Sequence, residues 1–158
     1  MGLKLTTSIC KDMVFEEIVD FASRNGFESL DIACSPMWKS HMGMKEICHI
    51  DVENMNYSMA KTIIECCKQN GIKIDSLSYH PNQKYFEDNG YDEYIEYLYK
   101  MIDAAYLLGA TSISTVITTY QNEYCYFNIK INSKTWCAVV LYAQEKGIVI
   151  KLVNKGDK

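Results

Sequence analysis

Residues 70–80 read NGIKIDSLSYH, which is a glycine, a short β-rich run and a closing histidine. The residues before this stretch have the spacing of an amphipathic helix. Gly71 ends that helix, because a residue without a Cβ takes the left-handed conformation that closes the last turn at low cost. The run Ile72–Leu77 then has the length and composition of a buried strand. The stretch therefore predicts a helix followed directly by a strand.

The same succession of helix, glycine and strand occurs four times in the chain. The glycines are Gly26, Gly71, Gly109 and Gly147, and one repeat is about 40 residues long. With one further strand at the start, the predicted strands are Leu3–Ser8, Ser29–Ala33, Ile72–Leu77, Ser112–Ile117 and Ile148–Val153. A helical crossover returns the chain to begin the next strand in the same direction, so the sheet should be parallel. We therefore expect an α/β fold of parallel (β/α) repeats, with about five strands and four helices in a single domain over residues 1–158.

Two of the predicted helices have a clear apolar face that should pack on the sheet. The residues of each face recur at spacings of three and four, and they are Phe15, Ile18, Val19 and Ala22 in one helix and Ile95, Leu98, Ile102 and Ala105 in the other. The second of these helices also carries Tyr94 and Tyr97. We interpret these tyrosines as packing surface whose hydroxyls reach solvent.

Motifs and charge narrow the classes of function. A repeat of this length suits either a doubly wound sheet or a (β/α)8 barrel. The turn after the first strand, Ser8–Asp12, has no glycine, and no GxGxxG or GxxxxGK[ST] motif follows any predicted strand, which argues against nucleotide binding. The net charge of −4 offers no basic surface to a phosphate backbone, so we expect no nucleic-acid partner.

The cysteines and the pattern of apolar residues indicate the cellular compartment of the protein. Seven cysteines are an odd number without CxxC spacing, which is typical of a reducing compartment. The amino terminus lacks the pattern of a signal peptide, and no apolar stretch reaches the roughly 18 residues of a membrane span. We therefore expect a cytoplasmic protein with no membrane partner.

Two long insertions follow predicted strands, where parallel α/β proteins hold their ligands. They are Cys34–Tyr57 and Gln121–Lys134, and we expect substrate contacts from both. The first contains His41 and His49. Their spacing matches no zinc pattern, so ordinary loop packing explains them better than a metal site does.

Four polar residues at or near strand ends are the candidates for chemistry: Asp31, Asp75, His80 and Asn154. His80 lies where a barrel strand meets its catalytic loop, and it either contacts a ligand or bonds to a backbone carbonyl. Asp31 lies in an otherwise apolar strand, where a carboxylate without a partner costs roughly 2–7 kcal/mol. Asp31 therefore needs a ligand or a structural partner, whereas Asp75 could equally face the outer helices.

Four stretches, taken in order, resemble the sugar phosphate isomerase/epimerase family of xylose-isomerase-like TIM barrels. The stretches are Leu3–Ser8, Gly26–Asp31, Ile74–His80 and Gly147–Asn154. Each stretch is weak alone, but together they cover essentially the whole chain from the first strand to the fifth. The resemblance implies that the chain forms a partial TIM barrel, namely the amino-terminal half of such a barrel.

The resemblance also implies roles for particular residues. In the family the second strand carries an acidic residue, which Asp31 matches, and the third strand ends in a histidine near substrate or metal, which His80 matches. The fifth strand of the family ends in glutamate and asparagine, and here Val153 precedes Asn154. Substrate binding is thus expected from Asp31, His80 and Asn154. His80 is the remaining candidate for a metal ligand, because a valine cannot hold a hard cation.

The function that the resemblance implies is isomerisation or epimerisation of a sugar or sugar phosphate. Such an enzyme moves a proton between adjacent carbons of a small carbohydrate with the help of a divalent metal (Mn, Mg, Co or Zn). Because these barrels run to about 250 residues, we expect a truncated chain that lacks the catalytic half. One alternative is a non-catalytic half-barrel that binds or assembles, as a homo-oligomer through its exposed sheet edges. A less favoured one is an endonuclease IV-like repair enzyme, which needs more histidines than the three present.

Overall fold

Five strands and four helices alternate along the described part of the chain. The computed structural model describes residues 2–37, 47–81, 91–117 and 123–154, and it describes backbone alone at 91, 116–117, 123–133 and 154. The strands are β1 (Leu3–Thr6), β2 (Phe27–Ala33), β3 (Lys73–Tyr79), β4 (Ser112–Ile117) and β5 (Val149–Asn154). The helices are α1 (Phe15–Arg24), α2 (Tyr57–Gln69), α3 (Tyr91–Leu108) and α4 (Glu123–Glu145), and a 3-10 turn, Thr7–Ile9, follows β1.

The strands form one sheet in the order β1-β2-β3-β4-β5, and each neighbouring pair is parallel. Sequential parallel neighbours joined by right-handed crossovers place all the connecting helices on one side of the sheet. The predicted class, an α/β fold of parallel (β/α) repeats, is therefore confirmed.

The glycine that follows each helix closes its last turn, as the sequence predicts. Gly71 has a φ of 68°, its N–H donates to the Lys68 carbonyl at 3.1 Å, and the next N–H, of Ile72, donates to the Cys67 carbonyl at 2.9 Å. These two bonds are a Schellman motif, which needs a left-handed residue at this position. The geometry explains why each strand starts one to three residues after its glycine.

The main core lies between the sheet and the helices. Both predicted apolar faces are buried there, and they pack with the strand residues that point the same way, among them Leu5, Leu30, Ile32, Leu77 and Ile113. Burying such aliphatic side chains contributes roughly 1.5–3 kcal/mol each. The hydrophobic pattern of the helices therefore fixes which side of the sheet they cover.

The two tyrosines pack in this core as predicted, but the prediction that their hydroxyls reach solvent is wrong, because these hydroxyls are buried. The Tyr94 hydroxyl is 2.7 Å from the Thr115 hydroxyl, and the Tyr97 hydroxyl donates to the carbonyl of Cys34. Their rings also contact the ring of Tyr79 on β3. A buried hydroxyl requires a partner, and here Thr115 of β4 and Cys34, directly after β2, provide it.

Several boundaries differ from the predicted ones. β1 ends at Thr6 because the chain tightens into the 3-10 turn, while β3 runs on to Tyr79. The second predicted insertion, Gln121–Lys134, is wrong as a loop, since helix α4 already begins at Glu123. Its asparagines and β-branched residues favour helix weakly, and tertiary context overrides such propensities. His41, in the first insertion, lies outside the described residues.

No helix in the described ranges is both long and apolar enough to cross a membrane.

Candidate functional site

The side of the sheet opposite the helices is polar. Leu77, Tyr79 and Thr115 face the helices, since they pack in the core or bond to α3. The side chains of a strand alternate between its two faces, so the intervening residues point the other way. We call this side the inner face, and its described polar residues include Lys4, Thr6, Asp31, Asp75, Ser76, Ser78, Ser112, Ser114 and Lys151.

Asp31 has the partner that its position in the strand requires. It is buried, and its Oδ1 accepts a hydrogen bond from the Ser76 hydroxyl of β3 at 2.7 Å. Ser112 lies beside Ser76 in the register, and its buried hydroxyl has no hydrogen-bond partner among the described residues. A buried polar group without a partner costs about 1–3 kcal/mol. The three residues therefore form a polar row across β2, β3 and β4 with unused bonding capacity.

Asp75 binds Lys4 across the sheet. The pairing of β2 with β3 passes from Leu30 opposite Ile74 to Asp31 opposite Ser76, so Asp75 is the extra residue of a bulge. Its carboxylate lies 2.9 Å from the Lys4 ammonium. This hydrogen bond raises the pKa of Lys4, and the charges of Asp75 and Asp31 raise it further against the opposing effect of burial. Asp75 is thus part of an ion pair and does not face the outer helices.

His80 directly follows β3, at the carboxyl end of the sheet. It is exposed, and its Nε2 lies 3.1 Å from the Ser114 hydroxyl on β4. Asp31 and His80 thus lie on one face but bond to different serines, Ser76 and Ser114. The other predicted site residue, Asn154, ends β5 opposite Ile117, and its side chain lies outside the description.

One set of contacts at the end of β1 was not predicted from the sequence. It joins His49 to Thr7 and Cys10, and we call it the histidine clasp. His49 Nε2 donates to the Cys10 carbonyl at 3.1 Å, because a carbonyl can only accept. The neutral ring then carries its proton on Nε2, so Nδ1 accepts the bond at 2.9 Å from the Thr7 hydroxyl. That hydroxyl in turn accepts from the Ala33 N–H at 2.8 Å. His49 therefore fastens the segment before α2 to β1 and β2 and is structural, as its weak motif suggested.

This clasp predicts a loss of stability in mild acid. Burial lowers the folded-state pKa of His49 below its ordinary value of 6.5. Between these two pKa values the unfolded chain binds more protons than the folded chain, so stability falls as the pH drops below 6.5 and is fully present above it. We expect the urea midpoint to decrease from pH 7 to pH 5, and to decrease less in His49→Gln. Equal slopes for both proteins would contradict this role of His49.

The described residues do not fit a resident metal ion. They contain no group of three or more His, Cys, Asp or Glu side chains placed to hold one. At the end of β5 the side chain is Val153, which has no ligand atom. His80 has a ring nitrogen, but a stable divalent site needs several such ligands together.

A groove of about 650 Å³ lies at the opposite end of the sheet. Glu28, Ser29, Ile72 and Lys73 contribute to its wall, together with the turns that precede β3 and β4. Barrel enzymes place their chemistry at the carboxyl ends of the strands. The position of this groove therefore speaks against a catalytic role.

Solved structures with this fold are barrels about twice as long as this chain. The chain matches the IolI protein with a binding zinc atom at a TM-score of 0.66, with 15% identity over 99% of this chain and 52% of that one. It matches a sugar phosphate isomerase/epimerase from Parabacteroides distasonis ATCC 8503 at 0.60, with 16% identity over 96% and 50%. A xylose isomerase domain protein from Planctomyces limnophilus gives 0.67, with 11% identity over 96% and 53%.

These likenesses confirm the resemblance at the level of the fold, which is that of a partial TIM barrel. The chain spans about half the length of the solved structures that it matches. No protein-family model matches the sequence, and no curated protein matches it. The activity therefore has to be inferred from the residues of the inner face.

Proposed function

We propose that the inner face binds a small carbohydrate and that the chain is a sugar or sugar-phosphate isomerase/epimerase-like protein. The observation that carries the proposal is the row of Asp31, Ser76 and Ser112 across the inner face, with one buried hydroxyl that lacks a partner among the described residues. A polyol offers donors and acceptors at the spacing of neighbouring hydroxyls. A fold neighbour named as a sugar phosphate isomerase/epimerase supports the same class of substrate.

Different residues of the inner face suit the binding of a sugar hydroxyl and the transfer of a proton. Asp31, held by Ser76, is an acceptor for a sugar hydroxyl, and hydrogen bonds to a charged group are worth about 1.5–3 kcal/mol. His80 is exposed at the carboxyl end and is placed by Ser114, so it is the group that can donate or accept a proton at a substrate oxygen. Asn154 remains a candidate contact from β5.

The divalent metal (Mn, Mg, Co or Zn) remains a prediction for this chain. A fold neighbour is named with a zinc atom, but the described residues form no metal-binding group. We therefore assign no step to a metal, and the proton transfer itself remains part of the proposal.

A second candidate function is a non-catalytic half-barrel that assembles. The outer edge of β5 supports it, because Val149, Leu152 and Val153 are 59%, 45% and 42% exposed. Among the described strands β5 pairs only with β4, and an edge strand with exposed apolar residues is a template for pairing with another chain. Sedimentation that gives a monomer at all concentrations would remove this candidate. Nothing in the described residues favours an endonuclease IV-like function, since they form no metal-binding group and His49 is engaged in the clasp.

Carbohydrate binding is tested by calorimetric titration with a panel of ketoses, aldoses and their phosphates, with and without each of the four metals. We expect Asp31→Ala to weaken binding at least tenfold, which is about 1.4 kcal/mol. Ser112→Ala is a milder variant, because it removes one neutral hydroxyl and creates no large cavity. We expect it to weaken binding less than Asp31→Ala.

The matched control is Asp20→Ala. Asp20 is an exposed aspartate on α1, paired with Arg24 on the helix side of the sheet. Its loss should leave binding unchanged. Equal weakening by Asp20→Ala and Asp31→Ala, or the absence of binding to every sugar, would count against the proposal.

A further inference from the structure

Two cysteines lie directly opposite each other where β2 ends. Cys34 follows β2, Cys48 belongs to the segment before α2, and the two form an isolated antiparallel bridge. The flanking hydrogen bonds run from the Ser35 N–H to the Ile47 carbonyl at 3.1 Å and from the His49 N–H to the Ala33 carbonyl at 3.0 Å. These bonds enclose the cysteine pair without joining its own backbone groups. Cys34 and Cys48 are therefore a non-hydrogen-bonded pair.

This kind of pair has the backbone geometry of a disulfide. In a non-hydrogen-bonded antiparallel pair the Cα atoms are about 4.5 Å apart and the side chains approach closely. A disulfide accepts Cα separations of about 4.4–6.8 Å. The pair can thus be bridged without a shift of the backbone.

Both cysteines are free thiols here, and each thiol bonds to a different carbonyl. Cys34 Sγ donates to Ser78 at 3.4 Å, and Cys48 Sγ donates to Ile50 at 3.0 Å. Because the two residues are directly opposite in an antiparallel pair, their side chains lie on the same face of it. A change of side-chain rotamer brings them together at the cost of two weak hydrogen bonds.

We propose that Cys34 and Cys48 are a reversible oxidation site, and that their disulfide fastens the segment before α2 to the carboxyl end of β2. The inference does not depend on the proposed function. The clasp of His49 with Thr7 and Cys10 already holds the neighbouring residue in place. The disulfide adds a covalent link at the same point.

The oxidant is a small disulfide such as glutathione disulfide, and the reaction has two exchange steps. Cys34 is fully buried and Cys48 is partly exposed, so the Cys48 thiolate attacks first. It forms a mixed disulfide and releases one glutathione thiolate, which takes up the proton that Cys48 lost. The Cys34 thiolate then attacks the Cys48 sulfur and releases the second glutathione. In total two protein thiols are oxidised to one disulfide, and one glutathione disulfide is reduced to two thiols.

The burial of the thiols sets the rate of this reaction. Burial raises the pKa of Cys48 to about 11, with a smaller contribution from the charge of Asp51. Only the thiolate reacts, so the rate should rise about tenfold per pH unit between pH 7 and pH 9. The site is therefore slow at neutral pH and responds to sustained oxidation.

Peptide mapping tests the proposal directly. Trypsin cuts after Arg24, Lys39, Lys45 and Lys61, so Cys34 and Cys48 fall in separate peptides, 25–39 and 46–61. After incubation of the whole chain with glutathione disulfide at pH 8 and blocking of the remaining thiols, we expect these two peptides to be joined. Reduction should separate them, and Cys48→Ala should abolish the joined species.

The matched control is Cys66→Ala. Cys66 is a partly buried cysteine on α2 whose pKa burial also raises, and its loss should leave the joined peptide unchanged. A lasting glutathione adduct on Cys48, a link between Cys48 and Cys10, or no loss of thiols would each overturn the proposal.

Discussion

Replacing Leu77 with alanine is expected to lower the free energy of unfolding by about 2–5 kcal/mol. Leu77 is fully buried in β3, the central strand, and its register partners Ile32 on β2 and Ile113 on β4 are fully buried as well. Both neighbours belong to strands fixed by parallel pairing on each side. The surrounding structure therefore has little freedom to close the cavity that the shorter side chain leaves.

Urea denaturation followed by circular dichroism measures this loss. The control is Leu141→Ala, the same change on α4 at a leucine that is 59% exposed. Surface substitutions of this kind stay within about 0.5 kcal/mol. A small loss at Leu77, comparable with that at Leu141, would contradict the packing of the helices on β3.

The second large effect is expected from Thr7→Val, which keeps the shape of the side chain and removes its hydroxyl. Thr7 is fully buried, and its hydroxyl both accepts from the Ala33 N–H and donates to His49 Nδ1. An orphaned buried group costs about 1–3 kcal/mol, so the loss of both bonds should cost roughly 2–4 kcal/mol. The clasp should open at the same time.

Denaturation and the His49 proton signals in NMR check this prediction. Thr7→Ser restores the hydroxyl and should recover most of the stability. Thr62→Val is the control. Thr62 is an exposed residue of α2 whose hydroxyl donates to the Ser58 carbonyl, so the loss of this hydroxyl should be nearly neutral. If Thr7→Ser is as unstable as Thr7→Val, the hydroxyl is not what holds the clasp.

The fold could be predicted from the sequence because its signals are local. A glycine such as Gly71 closes a helix through its own conformation, and the apolar spacing of α1 names the face that packs on the sheet. Repetition of this unit leaves a parallel sheet as the natural arrangement. The resemblance to half a barrel is confirmed at the level of the fold, since the chain matches solved structures of 11–16% identity over about half of their length.

The site could be predicted only in part, because its contacts join distant positions. The position of Asp31 in an apolar strand predicts that its carboxylate has a partner, but no local sequence pattern identifies that partner as Ser76. The pairing of Asp75 with Lys4 depends on a bulge that shifts the register by one residue. The role of Tyr97 likewise depends on a carbonyl 63 residues away in the chain, at Cys34.

Binding of carbohydrate to the inner face can be tested directly. NMR titration of the labelled chain with the tightest-binding sugar of the panel locates the ligand at the level of single residues. We predict that shift changes concentrate at the inner-face serines Ser76, Ser78, Ser112 and Ser114 and at His80. Changes confined to the groove at the amino ends of the strands, around Ile72 and Lys73, or no changes at all, would contradict the claim.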